Sequence, residues 1–198
     1  MNAQNERAGE VVETSTAGFT AQSYQLFDLP PLGSLVKTGE GELELYAVVH
    51  HAATQGIEPN RKPVARGRDE TSEQAIYDAN PQLPRLLRSE FSALVVGFNE
   101  KGLIRQYLPP RPARIHGFVY SLTNAEILAF SKRLSFISLL LEAEAAVPSE
   151  ELAAAALRRL ASAYDDPRPF LVSAGKELAV LLGRDYARLK IILERIRP

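Results

Sequence analysis

At 198 residues the chain has room for one large domain or two small ones. Its 45% apolar and 24% charged residues are the make-up of an ordinary globular protein rather than a disordered or fibrous one. Lys and Arg (23) against Asp and Glu (24) leave a formal net charge of −1, so the overall positive excess that grips nucleic acid is absent and only a local patch could do so. The lack of cysteine removes disulfides, thiolate metal sites and cysteine nucleophiles together, and is compatible with a reducing compartment.

The N-terminus, Met1 to Glu10, has no apolar core and reads as neither a signal nor a transit peptide. Residues 1–8 are expected to be disordered. Weak strands follow at Glu10–Thr16 and Thr20–Leu26, with a short one at Ser34–Lys37. The clearest strand is Leu43–Ala52, where Leu43, Leu45, Ala47 and Val49 alternate with Glu44, Tyr46 and Val48. Gln55–Asp69 is a stretch without periodicity, and loops of that length in compact domains are often functional or mobile. Thr71 or Ser72 caps a short helix through Tyr77, which Asn80-Pro81 breaks, and Pro84 opens a second one ending near Arg88. Phe91–Phe98 is a strand, Asn99-Glu100-Lys101-Gly102 a hairpin connection, Leu103–Leu108 the return, and His116–Leu122 a last strand. Six or seven short strands in the first 122 residues suit a small closed or nearly closed barrel.

After Thr123 the period becomes helical. Thr123-Asn124-Ala125-Glu126 is a capping box, and Ile127, Phe130, Leu134, Ile137 and Leu141 repeat at helical spacing. Pro148-Ser149 starts a helix whose stripe is Leu152, Ala156, Leu157, Leu160 and Ala161. Asp165-Asp166-Pro167 breaks the chain before a helix carrying Phe170, Leu171, Ala174, Leu178, Leu181 and Leu182, which stops at Gly183. Asp185 caps a final amphipathic helix with Tyr186, Leu189, Ile192, Leu193 and Ile196. The expected fold is α+β: an N-terminal β-barrel over 9–122 with a short helical insertion, then a C-terminal α-helical bundle over 123–198. The longest strongly apolar stretch, Leu134–Leu141, falls far short of the ~20 residues of a membrane helix. A soluble, cytoplasmic protein is expected.

Catalytic signals are weak. Gly175-Lys176 lacks the earlier glycine and the following Ser or Thr of a phosphate loop, and lies inside a helix. No G-x-S-x-G elbow is present. His50 and His51 are adjacent on a strand and point to opposite faces unless a bulge intervenes, and His116 adds no metal-ligand spacing. No catalytic residue, metal ligand or cofactor is assigned; an enzyme using His116 or His50 with a carboxylate ranks last. Basic character is local. Arg61, Lys62, Arg66 and Arg68 fall within eight residues without an acid, and Lys101, Arg105, Arg111 and Arg114 form a second group beside the Pro-rich turn. Such groups can hold phosphates, meet an acidic protein partner or simply be solvated. Aromatic residues for a single-strand platform are not interleaved with them.

Taken in order, Pro31-Leu-Gly-Ser-Leu-Val-Lys37, Ala47-Val-Val49, Asn80-Pro81-Gln-Leu83 with Leu86-Leu87-Arg88 and Glu90-Phe91, Val95-Val96-Gly97, and Leu108-Pro-Pro110 before Ile115-His116 resemble the HAS-barrel domain. That is the small β-barrel at the N-terminus of HerA-type hexameric DNA translocases and, more distantly, of rotary ATP synthase α and β subunits. The resemblance covers roughly Gly9 to Leu122, and helix stands where the translocases carry their P-loop ATPase domain. The chain thus resembles a stand-alone HAS-barrel protein, similar to small uncharacterised proteins of oxygenic phototrophs. The resemblance implies subunit contacts and docking, not catalysis. The expected function is a non-enzymatic interaction or assembly module. It would dock on a larger protein complex through its barrel and the basic residues Arg61, Lys62, Arg66, Arg68, Arg105, Arg111 and Arg114. That complex could be one at a membrane, approached peripherally and without a span; homo-oligomerisation is left open. The alternative is an accessory factor of DNA processing that binds nucleic acid or a separate ATPase.

Overall fold

The computed structural model of the chain describes residues 6–39, 41–58 and 62–197. Among them are seven strands: β1 (Arg7–Thr14), β2 (Gly18–Gln22), β3 (Leu35–Thr38), β4 (Leu43–Gly56), β5 (Leu87–Glu100), β6 (Leu103–Arg105) and β7 (Phe118–Ser121). All pairings are antiparallel. β1 lies between β2 and β7, β7 meets β3, β3 meets β4, β4 meets β5, and β5 returns to β2, so six strands close a barrel. β6 adds only to the far end of β5, outside the ring. The hairpin before it turns on Lys101 (φ 51°) and Gly102 (φ 85°), the pair of positive angles that a two-residue turn matched to strand twist requires.

Every expected strand is present, but its bounds move for identifiable reasons. Arg7 and Ala8, expected to be disordered, open β1, where Arg7 pairs with Tyr120; residues 1–5 lie outside the described residues. β4 and β5 each run to 14 residues because they pair with one another along their whole length, from Leu43–Glu100 to Gly56–Leu87. Partner backbone, not side-chain periodicity, extends them. The expected loop therefore begins two residues late, after Gly56. The expected second helix is a 3-10 turn over Leu83–Leu86, and Arg88 is already paired with Gln55.

Six helices are present among the described residues: α1 (Glu73–Ala79), inside the barrel sequence, and then α2 (Asn124–Phe130), α3 (Phe136–Glu142), α4 (Ser149–Ala161), α5 (Arg168–Leu182) and α6 (Tyr186–Arg195). The capping box forms: Thr123 Oγ1 accepts from the Glu126 amide at 3.3 Å, and Glu126 Oε2 accepts from the Thr123 amide at 2.8 Å. The periodic run Ile127–Leu141 is not one helix but two. The Gln106 side chain donates to the carbonyls of Phe130 (2.8 Å) and Arg133 (3.0 Å) and accepts from the Phe136 amide (3.3 Å), satisfying the broken helix from outside. A residue just past β6 thus ends α2 and starts α3. β6 itself stops at Arg105 rather than reaching Leu108.

Two cores share the strands. Inside the barrel, Val11, Phe19, Ala21, Val36, Leu45, Ala47, Val49, Phe91, Ala93, Val95 and Val119 interdigitate, as the period of two demands. On the outer face of β3, β4 and β5, Leu35, Tyr46, Val48 and Val96 pack under the helices, with Tyr46 edge-on to Phe130 at 5.2 Å. α4 is apolar almost all round, with Leu152 to Leu157 all buried, and so sits centrally among α3, α5 and α6. The expected stripe on the last helix is buried at Ile192 and Ile196, whereas Tyr186 stands exposed.

Candidate docking cleft

β3 pairs with β4 only as far as Val48, and β2 with β5 only as far as Glu90. Beyond those points the β4–β5 pair runs on as a two-stranded ribbon that leaves the barrel wall. The chain between β4 and β5 folds over the tip of this ribbon. Ser72 accepts from the Ala75 amide at 3.2 Å and so starts α1, while Asn80 closes it, donating through its amide and side chain to the carbonyls of Tyr77 and Ile76. With only Ala75, Ile76 and Tyr77 as apolar residues before its last alanine, α1 buries no residue fully and lies on the surface. Together with residues 62–66 and the 3-10 turn it walls a cleft of about 450 Å³. That volume is within the ~300–1,000 Å³ of ordinary binding pockets.

The cleft is apolar at its centre, lined by Ile57, Val64, Ile76, Tyr77, Leu83 and Leu86. Val64 is 77% exposed and Leu86 51%. Single exposed apolar side chains are unremarkable, but here they converge on one concavity. Lys62 and Arg66 line the same cleft, as do Glu58 and Glu73. Arg66 donates to Asn80 Oδ1 at 3.3 Å, at the C-terminal end of α1 where a cation is favoured. Among the described residues neither Lys62 nor Arg66 forms an ion pair.

Phe27 extends this surface. Its ring is 59% exposed and edge-on to Tyr77 at 6.3 Å, although its φ is 68°, a conformation that costs a bulky residue ~1 kcal/mol or more. What holds it is a polar pin: the Phe27 amide donates to Oγ of the fully buried Ser89 (2.9 Å), which also bonds Thr54 Oγ1 (2.6 Å). The chain sustains local strain to present an aromatic ring at the surface.

The structure divides the basic residues expected to bind a partner. Lys62 and Arg66 line the cleft, Arg68 is exposed next to it without contributing to its wall, and Arg61 lies outside the described residues. Arg105 is in β6, opposite Phe98, and the exposed Arg111 and Arg114 flank the buried Ala113 that seals the barrel interior. From Leu87 at the cleft to Phe98, β5 spans on the order of 35 Å at ~3.3 Å per residue. Arg105 is therefore at the far end of β5 from the cleft, and neither Arg111 nor Arg114 lines it. Composition also misses the apolar half of the cleft. Ile57, Leu86 and Tyr77 carry no motif, and the available signal was a short capped helix too poor in apolar residues to pack inward. For Phe27 no sequence signal exists.

The histidines are separated as well. A bulge does intervene at His50, leaving Val49 paired with Ala93 and His51 with Ser92. His50 Nδ1 nevertheless accepts from the Ala146 amide at 3.2 Å, in the link between α3 and α4, while His51 is exposed. His116 Nδ1 lies 2.6 Å from Glu10, which also accepts from the Tyr24 hydroxyl at 2.8 Å. The hydrogen bonds from His116 and Tyr24 hold the Glu10 carboxyl below its usual range. His116 is exposed and Glu10 partly buried. Among the described residues no group of three His, Asp or Glu side chains could hold a metal ion, and no helix is long and apolar enough to cross a membrane.

Burial, with a smaller contribution from His51, holds the His50 imidazole below its ordinary value. An unfolded chain then binds the proton first, so this contribution to stability is present above the ordinary imidazole range and is lost as pH falls through it towards the folded value. Urea unfolding between pH 7.5 and 5 should show a loss of up to about 1 kcal/mol that His50→Gln largely removes. Parallel pH dependences of the two proteins would show that protonation of His50 is not linked to folding.

Comparison with known protein families gives no match, and no curated protein matches the chain in sequence. What the cleft can do rests on its own chemistry, which is to bury an apolar group beside Lys62, Arg66, Glu58 and Glu73.

Proposed function

We propose that this chain is a non-enzymatic interaction or assembly module that acts in the cytoplasm and docks on a protein partner, part of a larger complex, through the cleft at the ribbon tip. The observation that carries the reading is an apolar concavity beside two cations that form no ion pair among the described residues, in the connection between β4 and β5. Apolar anchoring supplies affinity in such a site, and Lys62 and Arg66 would favour an acidic group beside the anchor. A closed barrel is also the fold that the resemblance to the HAS domain implies over this span. The C-terminal helices act as a bundle that braces one side of the barrel and leaves the cleft open.

The test is capture of the partner by tagged protein, with nuclease present. Recovery should drop at least tenfold in Lys62→Glu/Arg66→Glu, equivalent to about 1.4 kcal/mol, and be unaffected in Arg111→Glu/Arg114→Glu. Equal recovery by both double variants would refute docking through the cleft, and loss of the partner with nuclease alone would move the reading to nucleic acid.

A further inference from the structure

The ribbon that carries the cleft has two edges, and they are treated differently. Along β5, the 23–28 segment covers the edge, with the Ser23 amide donating to the Ser89 carbonyl at 2.9 Å and Phe27 pinned to the Ser89 side chain. Along β4, backbone pairing stops at Val49, which exchanges bonds with Gly33 (2.8 Å) and Ser34 (3.0 Å). From His51 to Gly56 the strand is bonded to β5 on one side, and among the described residues no backbone group pairs with its other side. In an antiparallel ladder alternate residues of this span direct N–H and C=O away from β5.

Free edges are normally blunted by charge, proline or short length. β6 has all three defences: it is three residues long, carries Arg105, and is followed by Pro109-Pro110. The β4 edge, His-Ala-Ala-Thr-Gln-Gly, has neither a Lys, Arg, Asp or Glu nor a proline, and His51, Ala52 and Gln55 are exposed. It leads directly into the cleft, whose wall begins at Gly56 and Ile57.

We propose that this edge receives an extended peptide segment of the partner as an added strand. The segment spans about five residues, and the side chain that follows it seats in the apolar cleft with an acidic group against Lys62 and Arg66. An unpaired ladder recognises a strand and nothing else with the same economy, because only a strand repeats N–H and C=O at the matching spacing. Lys62 and Arg66, which form no ion pair among the described residues, favour an acidic segment over a basic one. This inference rests on the docking function proposed above and adds how the partner is held.

The probe is a displayed library of random linear peptides selected on the full chain. Selected peptides should alternate apolar and polar residues around an acidic position. Their binding should slow hydrogen exchange of alternate amides in 51–56 at least tenfold, and N-methylation at alternate peptide positions should weaken binding at least tenfold. Peptides that are lost in Lys62→Glu/Arg66→Glu but leave exchange in 51–56 unchanged and tolerate N-methylation would overturn strand addition while leaving cleft docking intact. Failure to select any peptide whose binding depends on the cleft would overturn both. A dimer of the chain alone, with the same amides protected as concentration rises, would make the occupant a second copy and overturn the peptide proposal.

Discussion

Gly33→Ala is expected to destabilise the protein by about 3 kcal/mol or more, a large part of the ~5–15 kcal/mol that holds a domain folded. Two independent terms add. At φ 80° any side chain is strained by ~1–2 kcal/mol. A Cβ at this position would also lie 2.4 Å from the Ala155 carbonyl carbon and 2.5 Å from the Ala156 nitrogen. These are backbone atoms of α4, so no rotamer change relieves the contact; either the helix moves off the barrel or the Gly33–Val49 hydrogen bond is lost. Gly102→Ala is the control. Its φ is 85°, but nothing lies within 4 Å of the added atom, so only the strain of ~1–2 kcal/mol should appear. Urea midpoints measure both, and equal losses would show that α4 does not press on Gly33.

Lys37→Met should cost about 2 kcal/mol. The Lys37 ammonium, with its side chain 14% exposed, lies 2.6 Å from Glu126 and 3.1 Å from Glu44. Burial pulls its proton affinity down, but the hydrogen bonds and charges of Glu126 and Glu44 outweigh that and hold it above the ordinary lysine value. The contribution is therefore complete below the ordinary lysine range and fades only as pH rises beyond it. Glu126 belongs at once to the capping box of α2 and, through Lys37, to the barrel, so one side chain joins the two parts. Removing the cation leaves two half-buried carboxylates without it, which costs ~3–5 kcal/mol in a dry core and less here, where water reaches the acids. A midpoint shift below about 0.5 kcal/mol at pH 7 would show that the triad is already satisfied by solvent.

Much of this architecture was legible in the chain. Alternation at Leu45, Ala47 and Val49 marks the barrel interior because a strand has two faces and only one set of residues can fill a narrow barrel. Thr123 and Glu126 mark the start of α2 because both capping bonds are local. Features set by distant partners were not. The break between α2 and α3 depends on Gln106, seven residues before Ala113 and far from the helical pattern it interrupts. The full length of β4 depends on Leu87–Glu90, which carry no alternating signal of their own. At the cleft, Lys62 and Arg66 stand out as charges, but nothing in the sequence shows that they line a cleft while the second basic group, Arg105, Arg111 and Arg114, does not. Phe27 is placed by Ser89, a contact 62 positions away along the chain.

The most direct test of the central claim is site-specific photocrosslinking in lysate of the source cells. A photoreactive residue at Val64, in the cleft, is compared with one at Val180 on α5, since the two side chains are 77% and 76% exposed. Docking through the cleft predicts one dominant crosslinked protein from Val64, none from Val180, and loss of the product when Lys62 and Arg66 are reversed to glutamate. The same set of products from both positions, or a Val64 product indifferent to the reversal, would contradict it.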